Sequence, residues 1–218
     1  MKGELSEFAG GLKGHVRLQA NTAALSEFLP GALGAFLLGN PRVDVDVEER
    51  SSHAIVRSVA EGFVEIGIAA DIVEFGDLEV FPFAVDRLVA VLPRVHPLVG
   101  RRRLSFRDLL EQDFVGLSAA NALQQHLGQH AVQAGKPLRL RVRLSSFDAI
   151  CRMVGSGIGV AVVPEAAARR CKTSTAIRMA RLTDSWSLRR LHVCVRRVSE
   201  LRPPARQLVE HFRRYLRW

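Results

Sequence analysis

The order of its elements constrains this chain more than any single motif does. Four times an extended segment runs into a turn of hydroxyl or amide side chains and then into a helix, at Asn21-Thr22, Ser51-Ser52, Ser118 and Ser145-Ser146. Strand-then-helix repetition calls for α/β layers with largely parallel sheets, because parallel strands need a crossover long enough to hold a helix. The periodicities agree. Residues 15–20 place Val16, Leu18 and Ala20 on one side, residues 43–47 alternate valine with aspartate, and residues 138–144 alternate leucine and valine with arginine. Ile66-Gly67-Ile68-Ala69-Ala70 is apolar throughout and reads as a strand covered on both faces.

Helices fill the intervals. Leu25, Phe28, Leu29, Leu33, Phe36 and Leu37 form a helical stripe, and Pro30, tolerated only in a first turn, sets the start of the regular helix between residues 26 and 29. Asn40-Pro41 ends it. Ile55, Val56 and Val59 mark the next helix, closed by Gly62. Residues 78–83 and 87–92 read as two successive extended segments before a turn at residues 93–97. Ser105 and Asp108 have capping-box spacing, residues 114–117 form a strand, and a helix from about Asn121 is broken at Gly135-Lys136-Pro137. After Pro164 come an alanine-rich helix, strands at 177–182 and 188–195, and a terminal helix at 203–215.

The densest segment is 145–164, a hydroxyl cap, short helix, glycine turn and buried strand ending at proline. Ser145 and Ser146 suit a helix N-terminus, and Asp148 completes capping-box spacing with Ser145. Free backbone N–H groups and the positive end of the helix dipole also favour an anion there. Ligands of open α/β sheets sit outside the carboxyl ends of the strands, so the four turns are candidate walls of a single site. Each hydroxyl is equally a helix cap, and one side chain can serve both purposes.

Composition narrows the class. With 218 residues, 48% of them hydrophobic, the chain can form one large domain or two small ones sharing a cleft. It has no stretch of 18 apolar residues and no secretory apolar core, so a cytoplasmic protein without membrane insertion is expected. Cys151, Cys171 and Cys194 are odd in number and widely spaced, as free thiols of a reducing compartment would be. The net charge of +9 permits contact with nucleic acid but equally steers a small anion. Only four of the 31 basic residues are lysine, so a general arginine bias accounts for the groups at 101–103, 189–190, 196–197 and 213–214. Phe212 and Tyr215 beside the last of these read as core contacts rather than stacking platforms.

No catalytic residues, metal ligands or cofactor are expected. Cys151 lies on the apolar side of a helix, where a buried inert thiol is favoured over a nucleophile. His126 and His130 are four apart, but the glutamate of a zinc-protease helix is missing, which favours a solvated helix face over a metal site. Gly155, Gly157 and Gly159 precede their strand instead of following it, the wrong orientation for a dinucleotide fingerprint.

Several segments taken in order resemble the effector-binding domain of LysR-type transcriptional regulators, from about Gly14 to the terminal helix. They are residues 14–22, 28–33 with Phe36, 40–47, 59–62 leading to 66–68, 86–93 with His96-Pro97, and 146–164. The resemblance implies an α/β fold of two Rossmann-like subdomains joined by two crossover strands, periplasmic-binding-protein-like (type 2). It sets the crossings near Ala84, Val85 and Asp86 and near Val163, Pro164 and Glu165. One lobe is then 15–84 with 165–218, the other 85–164, and residues 1–14 are the end of a linker helix.

By the same resemblance a small anionic or carboxylated effector binds between the lobes. Asn21, Thr22, Ser51 and Ser52 hold it from one side, and Ser118, Ser145 and Ser146 from the other. Phe147 is either an apolar wall or a core residue of its helix. The domain is expected to pair with a second copy through the helix of residues 25–37, with tetramers as an assembly of the full-length protein. Operator DNA is expected to be contacted only through an N-terminal winged helix-turn-helix, which this sequence lacks. The alternative expectation is a free-standing solute-binding protein for a small carboxylate.

Overall fold

The computed structural model describes residues 13–215. The chain forms two compact units: unit 1 runs to Val85 and resumes at Arg190, and unit 2 is the continuous segment from Asp86 to Arg189.

Unit 1 opens with β1 (Lys13–Ala20), a π-helical turn (Ala24–Phe28) that flows into α1 (Leu29–Gly39), β2 (Arg42–Glu49), α2 (Ser52–Ala60) and β3 (Ile66–Ala70). Pro30 supplies no N–H to the first turn of α1, and the preceding turn is widened, with Leu29 N–H reaching Ala24 O. The 15-residue strand β4 (Glu79–Pro93) then carries the chain into unit 2. There follow β5 (Arg103–Leu104), α3 (Phe106–Leu109), β6 (Asp113–Leu117), α4 (Ala122–Gln133), β7 (Arg139–Leu144) and α5 (Phe147–Gly155). Unit 2 closes with β8 (Ala161–Pro164), α6 (Glu165–Lys172) and β9 (Ile177–Leu182), and β10 (Leu188–Val195) returns to unit 1 and α7 (Pro203–Tyr215).

Unit 1 has a four-stranded sheet in the order β2-β1-β3-β10, parallel from β2 to β3 and antiparallel between β3 and β10. The all-apolar β3 is buried at every residue, as a strand covered on both faces requires. Helix packing there depends on Gly67, where an added Cβ would lie 2.5 Å from Ile55 Cγ2 and 2.8 Å from Cys194 Sγ. Its main core draws Phe36 from α1 and Leu208, Val209 and Phe212 from α7, with Phe212 set edge-on to Phe83 at 5.4 Å. In unit 2, β4 pairs antiparallel with β8 and β9, while β5–β9 and β6–β7 are parallel.

The sheets are thus mixed, and the expectation of largely parallel pairing fails for β4 and β10, the two strands that pass between units. Residues 79–83 and 87–92 are not successive segments but parts of β4, which begins one residue after Leu78. Of the expected linker-helix end at 1–14, residues 1–12 lie outside the described residues, and Lys13 and Gly14 already belong to β1. The chain passes from unit 1 to unit 2 between Val85 and Asp86. The return falls at Arg189–Arg190 and not at Val163, Pro164 and Glu165. Pro164 ends β8, but the chain turns directly into α6, and Ala167, Ala168 and Cys171 join Ile177, Ala180 and Leu182 of β9 in the core of unit 2. A proline at a strand end marks a change of element there, not a change of domain.

Asp86 and Arg189, the first and last residues of unit 2, form a buried ion pair. Arg189 Nε donates to Asp86 Oδ2 at 2.9 Å and Nη2 donates to the same oxygen, with 5% and 2% of the two side chains exposed. Among the described residues no helix is long and apolar enough to cross a membrane.

Candidate functional site

In unit 1 the carboxyl ends of three parallel strands carry the predicted residues. Asn21 follows β1: its N–H donates to Ile68 O at 3.1 Å, and its Oδ1 accepts from Ala24 N at 2.9 Å, closing the turn that starts the π-helix. Thr22 Oγ1 donates to Glu49 Oε1 at 2.7 Å, and Ser26 Oγ donates back to Thr22 O. Ser51 is the N-cap of α2, accepting from Ala54 N at 3.4 Å. Ser52 is buried, and its Oγ accepts from Ala70 N at 3.0 Å, joining the start of α2 to the end of β3. Arg50 N donates to Ala20 O, so the ends of β1, β2 and β3 are fastened together.

Glu49 is not marked by the pattern of strand-end hydroxyls and amides. Its carboxylate takes the Thr22 hydroxyl proton that an anion would need, and its position at the last residue of β2 was the available signal. Beside it, Arg50 and Gln19 donate to Glu48 and hold that carboxyl below the usual carboxylate range.

In unit 2 the parallel pair β6–β7 ends in register at Leu117 and Leu144, which sets the turns of Ser118 and Ser145-Ser146 side by side. Ser118 and Ser145 are exposed and make no side-chain hydrogen bond among the described residues. Ser118 does not cap the next helix. Asn121 does, with Oδ1 accepting from Leu123 N at 2.9 Å and Gln124 N at 3.3 Å, and the buried Gln124 Oε1 accepts from Leu117 N. Ser146, not Ser145, is the N-cap of α5, accepting from Ala149 N at 3.3 Å. Asp148 makes no capping box with Ser145, because it is turned toward α6, where Cys171 Sγ donates to its Oδ1 at 3.0 Å. The box expected at Ser105 and Asp108 forms, with both reciprocal bonds, and those bonds hold the Asp108 carboxyl below its ordinary pKa. Phe147 lies in the core of unit 2.

The remaining candidates are structural. His126 and His130 are not on a solvated face: His130 stacks on Trp186 at 4.2 Å, and His126 meets the same ring edge-on. Burial, with Arg189 as the lesser cause, pushes the His126 pKa down from 6.5 to about 3. No group of three or more His, Cys, Asp or Glu side chains among the described residues could hold a metal ion. Cys151, Cys171 and Cys194 are free and buried, and burial raises Cys194 to about 12.

What this arrangement offers chemically is a set of neutral donors and helix N-termini at strand ends. The LysR substrate binding domain family matches residues 9–217, nearly the whole chain. The chain belongs to that family. A curated relative of this LysR domain, a probable RuBisCO transcriptional regulator from Synechocystis, is 30% identical over 143 residues, covering 62% of this chain and 41% of its own length. The chain spans about half the length of the curated relatives it matches.

Among solved structures, the regulatory domain of Synechocystis CcmR in complex with 2-PG aligns with a TM-score of 0.74 at 20% identity, over 92% of this chain and 96% of its own. The effector-binding domain of QuiR in complex with shikimate aligns with a TM-score of 0.68 at 13% identity, over 94% and 97%. The fold is therefore that of LysR effector domains, periplasmic-binding-protein-like of type 2. A ligand-sensing regulatory domain follows from the family, and a free-standing solute-binding protein is not favoured, since the relatives are transcriptional regulators.

Proposed function

We propose that this LysR domain senses a small anionic metabolite through the hydroxyl, amide and backbone N–H groups at its strand ends. The observation that carries the reading is the pair of exposed turns, Ser118 and Ser145-Ser146, side by side at the ends of β6 and β7, one of them leading into the N-terminus of α5. Helix N-termini bind anions without a buried lysine. In unit 1, Thr22 and Ser51 contribute chiefly through their backbone donors, since Glu49 takes the Thr22 hydroxyl proton, while Ser52 keeps its hydroxyl proton and Asn21, whose N–H is held by Ile68 O, contributes through its side-chain amide. The shikimate and 2-PG bound by the QuiR and CcmR domains are small anions and support this class of ligand.

A bound effector raises the melting temperature, and the gain grows with the logarithm of its concentration above the dissociation constant. A thermal-shift screen of small carboxylates and phosphorylated acids, repeated on Ser118→Ala and Ser146→Ala, tests the assignment. Ligands whose stabilisation survives both substitutions would sink it. In a longer regulator carrying this domain, the same effector changes the operator footprint, and a footprint indifferent to every stabilising ligand would contradict sensing.

Self-association is read onto α1. None of its residues is charged or polar, Gly31, Gly34 and Ala35 are exposed, and Leu38 is 89% exposed. Such a face is available to a second copy in a symmetric dimer. Sedimentation of Leu38→Glu as a monomer beside a dimeric parent is the expected result.

A further inference from the structure

A groove of about 700 Å³ lies in unit 2 beside α6, β9 and β5. Five cations line it, Arg102, Arg103, Arg169, Lys172 and Arg181, against the single carboxylate of Glu165. That acid is already engaged. Arg169 donates to Glu165 Oε1 from Nε at 3.0 Å, and Arg87 approaches the other oxygen at 3.7 Å. Arg102, Arg103, Lys172 and Arg181 make no ion pair among the described residues.

The fold concentrates these charges. Arg103 and Arg181 are register partners in the parallel pair β5–β9, so two like charges sit on adjacent strands, an arrangement that is destabilising without a counter-charge. Arg169 and Lys172 are three apart in the last turn of α6, on one face, where the negative end of the helix dipole favours cations. Partly buried Met179 lines the same groove and gives it an apolar surface. The volume falls in the range of small-molecule sites, and the unpaired charges outnumber what one carboxylate or phosphate can neutralise.

We propose that this groove is a second binding site, for a small polyanion bearing two or more phosphate or carboxylate groups. It uses none of the strand-end residues of the effector reading. Arginine forks engage phosphate or carboxylate oxygens in bidentate fashion, while Lys172 adds a mobile point charge.

Calorimetric titration of the whole chain with inorganic tripolyphosphate, and separately with citrate, tests the site at fixed low ionic strength. The expected result is one polyanion bound per chain, with affinity lowered about tenfold or more by Arg103→Gln with Arg181→Gln and by Lys172→Glu alone. Arg152→Gln, which removes an exposed cation at the far end of α5, changes it by less than about twofold. Binding of tripolyphosphate alone assigns phosphate groups to the ligand, and binding of citrate alone assigns carboxylates. Ser146→Ala leaves this affinity unchanged, which separates the site from the strand-end reading. Failure of both polyanions to bind, or equal weakening by Arg152→Gln and the groove variants, would overturn the proposal in favour of diffuse attraction to a positively charged protein.

Discussion

The strand-end turns of the two units carry similar residue types and are built oppositely. In unit 1 the polar groups are consumed locally: Thr22 holds Glu49, Asn21 holds the start of the π-helix, and Ser52 holds the end of β3. In unit 2 the serines stand exposed, and only Ser146 has a backbone partner, while Asn121 and Gln124 fasten the neighbouring helix from behind. A hydroxyl after a strand can therefore be part of the scaffold or an open valence for a ligand. Residue type does not distinguish the two; the partner does.

That contrast can be broken by experiment, beginning with the largest effect. Phe147 sits beside the open serines but belongs to the core, so Phe147→Ala destabilises the chain by about 3–5 kcal/mol in urea unfolding. A loss comparable to that of a surface substitution would make it a ligand wall after all. Ser52→Ala strands the buried Ala70 N–H and lowers stability by about 1–3 kcal/mol.

Acid separates the units in another way. The folded pKa of His126 lies below its ordinary 6.5, so below pH 6.5 the unfolded chain binds a proton that the folded chain refuses. Its contribution is fully present above pH 6.5 and is lost progressively from there down to about 3. Between pH 8 and 5.5 the loss is about 1.4 kcal/mol, and His126→Leu removes that part of the pH slope. An identical slope in the variant would place the titration elsewhere.

The small effects sharpen the comparison. Removing the cap with Ser146→Ala lowers stability by about 1 kcal/mol, whereas Ser145→Ala changes it by no more than about 0.5 kcal/mol. If Ser145→Ala were as damaging as Ser52→Ala, the distinction between closed and open turns would fail.

The spans of β3, β9, β10 and α7 were legible from local pattern, because uniform apolar content, alternation and a proline-led amphipathic stretch each act over a few residues. Pro30 likewise located the start of α1, and Ser105 with Asp108 announced their capping box. Features made by distant residues left no local trace. Asp86 and Arg189 meet across 103 positions, and Arg189 resembled any other surface arginine in sequence. The basic groove draws on β5, α6 and β9, with β5 far in sequence from the other two, so no single stretch announces it. At Ser145-Ser146 two serines offered two registers for one cap, and Asp148 favoured the wrong one because its partner on α6 was invisible.

The ion pair between Asp86 and Arg189 has a consequence for how the protein is made. It joins the two ends of a segment that interrupts unit 1, so all of unit 2 is translated before the unit 1 part of β10, from Arg190, and α7. Unit 2 can complete its core and close its ends with that pair during synthesis, as domains commonly fold when their last residue emerges. Unit 1 must wait, with β3 lacking its β10 neighbour and Phe83 lacking Phe212, until the final helix is translated. The nascent chain thus carries its finished half in the middle and its unfinished half on either side.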